Sequence, residues 1–114
     1  MVNQVTLQNG VIVVQQLGDQ TYKSISTICG QVEHLSAGLS DIRILVDQQQ
    51  LGKLDTGARR ACLEGIKHVQ FHKIAFFGAS PYIAGVINLI ARSAGKRDKF
   101  LIATSREQAL QWLR

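Results

Sequence analysis

Ile44-Leu45-Val46-Asp47-Gln48-Gln49-Gln50-Leu51-Gly52-Lys53-Leu54-Asp55-Thr56-Gly57-Ala58-Arg59-Arg60-Ala61-Cys62 is the stretch that decides the fold. Ile42 to Val46 is a short, β-branched apolar run, as expected of a strand buried on both faces. It ends at an acid, Asp47, and a polar loop over residues 47–56 is expected to follow. Thr56 then suits the N-cap of a helix running from about Gly57 to Val69. A buried strand handing over through a loop to a helix is the unit of open α/β sheets. Such sheets bind their ligands at the carboxyl ends of the strands.

The flanks repeat the same alternation. Ala58, Ala61, Cys62, Gly65, Ile66 and Val69 make a narrow apolar face of small residues on helix two, while Arg60 and Glu64 stand four apart and can pair. Ile74 to Phe77 reads as the next strand. Ser80 and Pro81 then suit the N-cap and first position of a third helix over residues 81–94. Phe100 to Ala103 is a strand, and Ser105 with Gln108 three residues on forms a capping box for a last helix. Upstream, Val5–Leu7 and Val11–Gln16 flank Asn9-Gly10, a strong hairpin signal. Asp19 or Thr21 caps a helix running to about Leu35. The expected order is β-β-α-β-α-β-α-β-α, an α/β fold with an open, mixed, mostly parallel sheet and an antiparallel first edge. No repeat or linker divides the sequence, so one domain over residues 1–114 is expected.

Composition narrows the class. A content of 46% hydrophobic and 18% charged residues in 114 belongs to a globular domain with a real core. Cys29 and Cys62 lie on apolar helix faces and read as unpaired thiols, which suits a reducing compartment. No signal-peptide pattern opens the sequence, and no apolar run approaches the roughly 20 residues of a membrane span. A cytoplasmic protein is therefore expected. Net charge is +5, with −2 over residues 1–57 and +7 over residues 58–114. The bases are spread along helices, as on solvent-facing surfaces. With 6% aromatics and no helix-turn-helix signature, nucleic acid is not an expected partner.

At this point the chain resembles a STAS domain, the fold of anti-sigma-factor antagonists. The resemblance rests on Val46-Asp47, then seven residues, then Asp55-Thr56-Gly57-Ala58, and on the tail Ser105-Arg106-Glu107-Gln108-Ala109-Leu110. The family shows a strand ending in Val-Asp, a short loop, then Asp-Ser-Ser-Gly-Leu opening a helix. The run from Thr56-Gly57-Ala58-Arg59-Arg60 through Phe77-Gly78-Ala79-Ser80-Pro81 looks more like a bacterial STAS/CRAL-TRIO-like subgroup. CRAL-TRIO relatives bind lipids in an apolar pocket. The resemblance implies a non-enzymatic regulatory module that meets a protein partner through Asp47, Asp55, Thr56, Gly57, Arg59 and Arg60. It implies no cofactor. Gly57 falls where the family's phosphorylated serine stands, so the family's phospho-switch does not carry over, and Thr56 is the remaining hydroxyl. A phosphate there would meet a helix N-terminus with Arg59 and Arg60 close by.

Chemistry has little else to rest on. Asp47 and Asp55 read as turn and cap residues before they read as an acid–base pair. Gly78-Ala79-Ser80-Pro81-Tyr82 lacks the final glycine of a nucleophile elbow. There is no zinc-binding His or Cys motif and no phosphate-binding loop, so no metal is expected. Helix three is apolar around most of its circumference and must be covered on more than one side. Ile83, Val86, Ile87 and Ile90 are expected to form a homodimer surface or the wall of a pocket for a lipid or other apolar ligand. Arg92, Lys96 and Arg97 at its end suit an anionic headgroup or a peripheral membrane contact.

Overall fold

The structure, a computed structural model, describes residues 2–114. In chain order the elements are β1 (Gln4–Gln8), β2 (Val11–Gln20), α1 (Tyr22–Ser36), β3 (Arg43–Leu54), α2 (Thr56–His68), β4 (Lys73–Phe77), α3 (Pro81–Ser93), β5 (Phe100–Ile102) and α4 (Arg106–Leu113). A 3₁₀ turn, Arg97–Lys99, precedes β5. The strands lie in one sheet in the order β1-β2-β3-β4-β5. β1 is antiparallel to β2, and every later pairing is parallel. This is the mixed, mostly parallel α/β sheet that the sequence predicts.

The topology follows from local rules. Asn9 and Gly10 turn the hairpin with φ values of 50° and 78°, which a two-residue turn of this hand requires. Each later strand is reached through a helix and lands beside its predecessor. Right-handed crossovers taken in one direction place α1, α2 and α3 on the same face. The core shows this. Ile12, Val14, Ile44, Val46, Ile74 and Phe76 of the sheet pack with Ile25, Ala61 and Ile87 of the three helices. The opposite face carries Val13, Leu45, Ala75 and Phe77 under Ala109 and Leu113 of α4. Arg43 and Lys73 donate to the carbonyls of Leu113 (3.0 Å) and Trp112 (3.0 Å), so two of the basic residues finish the C-terminus of α4.

Three expectations are corrected. Residues 47–54 are strand, not loop. β2 runs on to Gln20 and β3 to Leu54, with Leu17 opposite Gln50, Gly18 opposite Leu51 and Gln20 opposite Leu54, across two register shifts. The ladder needs only backbone groups, so a Gln-rich stretch completes it as well as an apolar one. Asp19 lies inside this extension and accepts from the Lys53 amide (2.7 Å). Gly52 leaves room for it, since a Cβ there would stand 2.3 Å from Asp19 Oδ1. The cap of α1 is Thr21, in a reciprocal box with Ser24. The cap of α2 is Asp55, whose Oδ1 accepts from Ala58 N (2.7 Å), and Thr56 is the first helical residue. In α4, Ser105 caps as expected, but Gln108 reaches back to the Thr104 amide (2.6 Å) rather than to that of Ser105.

Ser80 caps α3 through the Ile83 amide and Pro81 follows it, as predicted. Gly78, with φ 88°, lets the end of β4 close onto β3, because a Cβ there would sit 2.8 Å from the Gln49 nitrogen.

Candidate functional site

The N-termini of α1, α2 and α3 gather where β2, β3 and β4 end, and the side chains of these helix heads form the candidate site. Asp55 and Thr56 are exposed and Gly57 is half-buried. Asp55 is committed to its cap, and Thr56 is the exposed first residue of α2. Gly57 marks a close approach of two helices: a Cβ there would lie 3.3 Å from Tyr22 Cβ. A serine at this position would press on the head of α1, which gives Gly57 a packing reason to lack a side chain.

Two tyrosines, neither singled out by the sequence, complete the head. Arg59 donates from Nε to the Leu54 carbonyl (3.1 Å) and from Nη2 to the Tyr82 hydroxyl (2.6 Å). Its guanidinium lies 5.4 Å from the Tyr82 ring centroid. Arg60 lies 4.9 Å above the Tyr22 ring. Tyr22 in turn donates its hydroxyl to Glu64. That hydrogen bond, with the Glu64 charge behind it, raises the Tyr22 pKa above the ordinary phenol value, so Tyr22 keeps its proton and remains a donor. Tyr82 is 64% exposed and Tyr22 39%, so both rings are open to a partner. The signal lay in Thr21-Tyr22 and Pro81-Tyr82: each ring stands in the first turn of a helix whose N-terminus must lie at this edge of the sheet.

The remaining candidates lie elsewhere. Asp47 pairs in the ladder with Gln15 and Phe77 and accepts from the Gln49 amide (2.9 Å). At about 3.3 Å per residue it stands more than about 20 Å along β3 from Asp55, so the two carboxylates form no acid–base pair. Ile83, Ile87 and Ile90 are buried and Val86 is half-buried, so they offer no exposed surface to a second copy, while Ile87 lines an apolar cavity between the helices and the sheet. The outward residues of α3 include Tyr82, Gly85, Leu89 and Arg92. Lys96 and Arg97 act as braces. Lys96 Nζ donates to Ile66 O (2.7 Å) at the far end of α2, and Arg97 binds Asn88 and the Phe100 carbonyl. Arg92 is exposed at the end of α3, away from the head of α2.

Cys29 and Cys62 are free, as expected. They stand between α1 and α2, where Gly65 makes room for the Cys29 sulfur. Burial pushes the Cys62 thiol up to about 12, with the nearby Cys29 adding to it. Cys29 is raised by burial first and by Glu33 second. Both thiols are therefore protonated and weakly nucleophilic near neutrality. The unfolded chain ionises Cys62 near 9 while the folded one holds its proton, so folding stability falls as pH rises above about 9. The expected slope approaches about 1.4 kcal/mol per pH unit. Denaturant titrations at pH 8, 9 and 10 read it, and Cys62→Ala should flatten the trend relative to the parent.

No known family profile and no curated protein sequence matches this chain. Solved structures do. The chain is similar to a protein of the DUF3478 family with a SpoIIAA-like fold from Shewanella loihica PV-4. The TM-score is 0.72 at 20% identity, over 99% of this chain and 93% of that one. It is similar also to the anti-sigma factor antagonist SpoIIAA in its unphosphorylated form, with TM-score 0.68 at 13% identity over 99% and 98% of the two chains. A third is an anti-sigma-factor antagonist (STAS) domain protein from Planctomyces limnophilus, with TM-score 0.68 at 15% identity over 100% and 99%. Sheet order, helix placement and these likenesses agree that the chain has the STAS fold.

Proposed function

We propose that this protein is a non-enzymatic docking module that engages a protein partner through the end of β3 and the head of α2. One observation carries this reading: two exposed tyrosines from different helices each lie under an arginine of the first half of α2, the helix that Thr56 opens. Tyr and Arg are enriched at the energetic centres of protein interfaces. Rings already held by guanidinium groups lose little freedom on binding. Two fold neighbours described as anti-sigma-factor antagonists support a role exercised on another protein. A carrier of apolar ligands acting through α3 has less support, since Ile83 and Ile90 are buried away from the apolar cavity that Ile87 lines.

The test is site-specific photo-cross-linking in the host cell. A benzophenone side chain at exposed Lys53, beside the head, is expected to capture one partner, and the same group at exposed Gln111 on α4 is not. Capture from Gln111 alone, or equally from both positions, contradicts the assignment.

A further inference from the structure

A second surface lies at the sheet edge and does not depend on the docking reading. β1 is an outer strand, and among the described residues no strand pairs with its free side. The hairpin geometry says which groups face out. Its two-residue turn makes Gln8 and Val11 a hydrogen-bonded pair, so Gln4, Thr6 and Gln8 direct their backbone groups at β2. The N–H and C=O of Val5 and Leu7 therefore point outward. Native edges are ordinarily blunted by charge, proline or a bulge. β1 carries none of these: its register with β2 has no shift, it holds no proline, and the first charged side chain in the sequence is Asp19. The opposite edge is blunted. β5 has three residues, follows the charged run Lys96-Arg97-Asp98-Lys99, and has its Phe100 carbonyl taken by Arg97.

Gln4-Val5-Thr6-Leu7-Gln8 reads almost alike in both directions. We propose that two copies of this protein pair through β1, antiparallel about a two-fold axis at Thr6, joining their five-stranded sheets into one. That register places Val5 opposite the second copy's Leu7 as a hydrogen-bonded pair that exchanges both bonds, and the symmetry-related pair repeats it. Thr6 meets Thr6 at the axis in the closer, non-bonded position, where threonine pairs are favourable. Leu7, 44% exposed in one chain, comes to lie beside the second copy's Val5, which is already packed on the core. Charge favours this place for self-association. Each chain carries +5, so two copies repel, and residues 1–18 bring no charged side chain to the contact. A ladder of this length is a small interface, so association in the micromolar range is expected. The blunted β5 edge stops growth beyond the pair.

Sedimentation equilibrium of the intact protein from about 1 µM to about 500 µM is expected to move from one 12.6 kDa chain toward twice that mass. Thr6→Lys, at an exposed position, sets two ammonium groups together at the axis and should weaken the pair at least about tenfold. Cysteines read the register. In Thr6→Cys the two new thiols stand on Cα atoms about 4.5 Å apart, within disulfide reach, whereas those of Gln8→Cys lie about 13 Å apart along the strands. Under oxidised glutathione Thr6→Cys should cross-link into a dimer and Gln8→Cys should not, with the parent, which keeps Cys29 and Cys62, as the blank. The measurement on the parent needs no variant to fold. A monomer throughout the concentration range overturns the proposal. So does a Thr6→Lys variant that associates as tightly as the parent, or cross-linking of Gln8→Cys in preference to Thr6→Cys.

Discussion

Replacing Leu45 with alanine is expected to lower the unfolding free energy by about 3–5 kcal/mol. Leu45 is fully buried on the α4 face of β3. Its ladder partners are Val13 on one side and Ala75 on the other. Ala75, Ala103 and Ala109 are among the neighbours on that face, and none has a side chain long enough to move into the space. β3 is also held by parallel ladders on both edges, so its backbone cannot sink toward α4. Both facts place the cost at the uncollapsed end of the range for such cavities. A domain with total stability of about 5–15 kcal/mol would lose a large share of it. Urea unfolding followed by circular dichroism measures the change, with the denaturant slope unchanged. Leu89→Ala, on the exposed side of α3, is the control and should stay within about 0.5 kcal/mol. A loss below about 1 kcal/mol at Leu45 would mean that the α4 layer is packed differently from the structure described above.

The features legible in the sequence were those with local causes. Asn9-Gly10 specifies its turn by backbone preference, and Ser80-Pro81 fixes a helix start within four residues. The β-branched run 42–46 marks a strand buried on both faces, and crossover handedness then leaves few arrangements of the sheet. What escaped was set by tertiary partners. The stretch Asp47 to Leu54 carries polar side chains, yet its backbone pairs with β2 because β2 also continues. Asp55 and Thr56 are both competent caps, and only the path of the chain out of β3 selects Asp55. α3 is so apolar that its periodicity does not say which side meets the sheet, and Ile83, Ile87 and Ile90 turned inward. The candidate site was half legible: Arg59, Arg60 and Thr56 follow from the loop-to-helix reading. Tyr22 and Tyr82 join them only when three helix heads meet, and Asp47 is carried away by the length of β3.

Arg60→Glu and Tyr82→Ala are each expected to weaken partner binding by about 2–4 kcal/mol, or roughly 30- to 1,000-fold. Arg60 is exposed and lies over the Tyr22 face, so reversing its charge removes a cation–π contact worth about 0.5–1 kcal/mol. It also places a carboxylate beside the Tyr22–Glu64 pair. Tyr82→Ala removes the most exposed ring of the head and frees Arg59 Nη2 from its hydroxyl partner. Neither residue belongs to the core, so thermal stability should change little while binding changes greatly. Loss of binding by unfolding and loss by removal of a contact are thereby separated.

The most direct measurement is calorimetric titration of the cross-linked partner, once purified, against the parent protein, Arg60→Glu and Glu107→Lys, the last an exposed charge reversal on α4. Docking at the head of α2 predicts an affinity at least about 30-fold lower for Arg60→Glu, with Glu107→Lys close to the parent. Affinities for Arg60→Glu and Glu107→Lys both within about twofold of the parent, or a loss confined to Glu107→Lys, would contradict it.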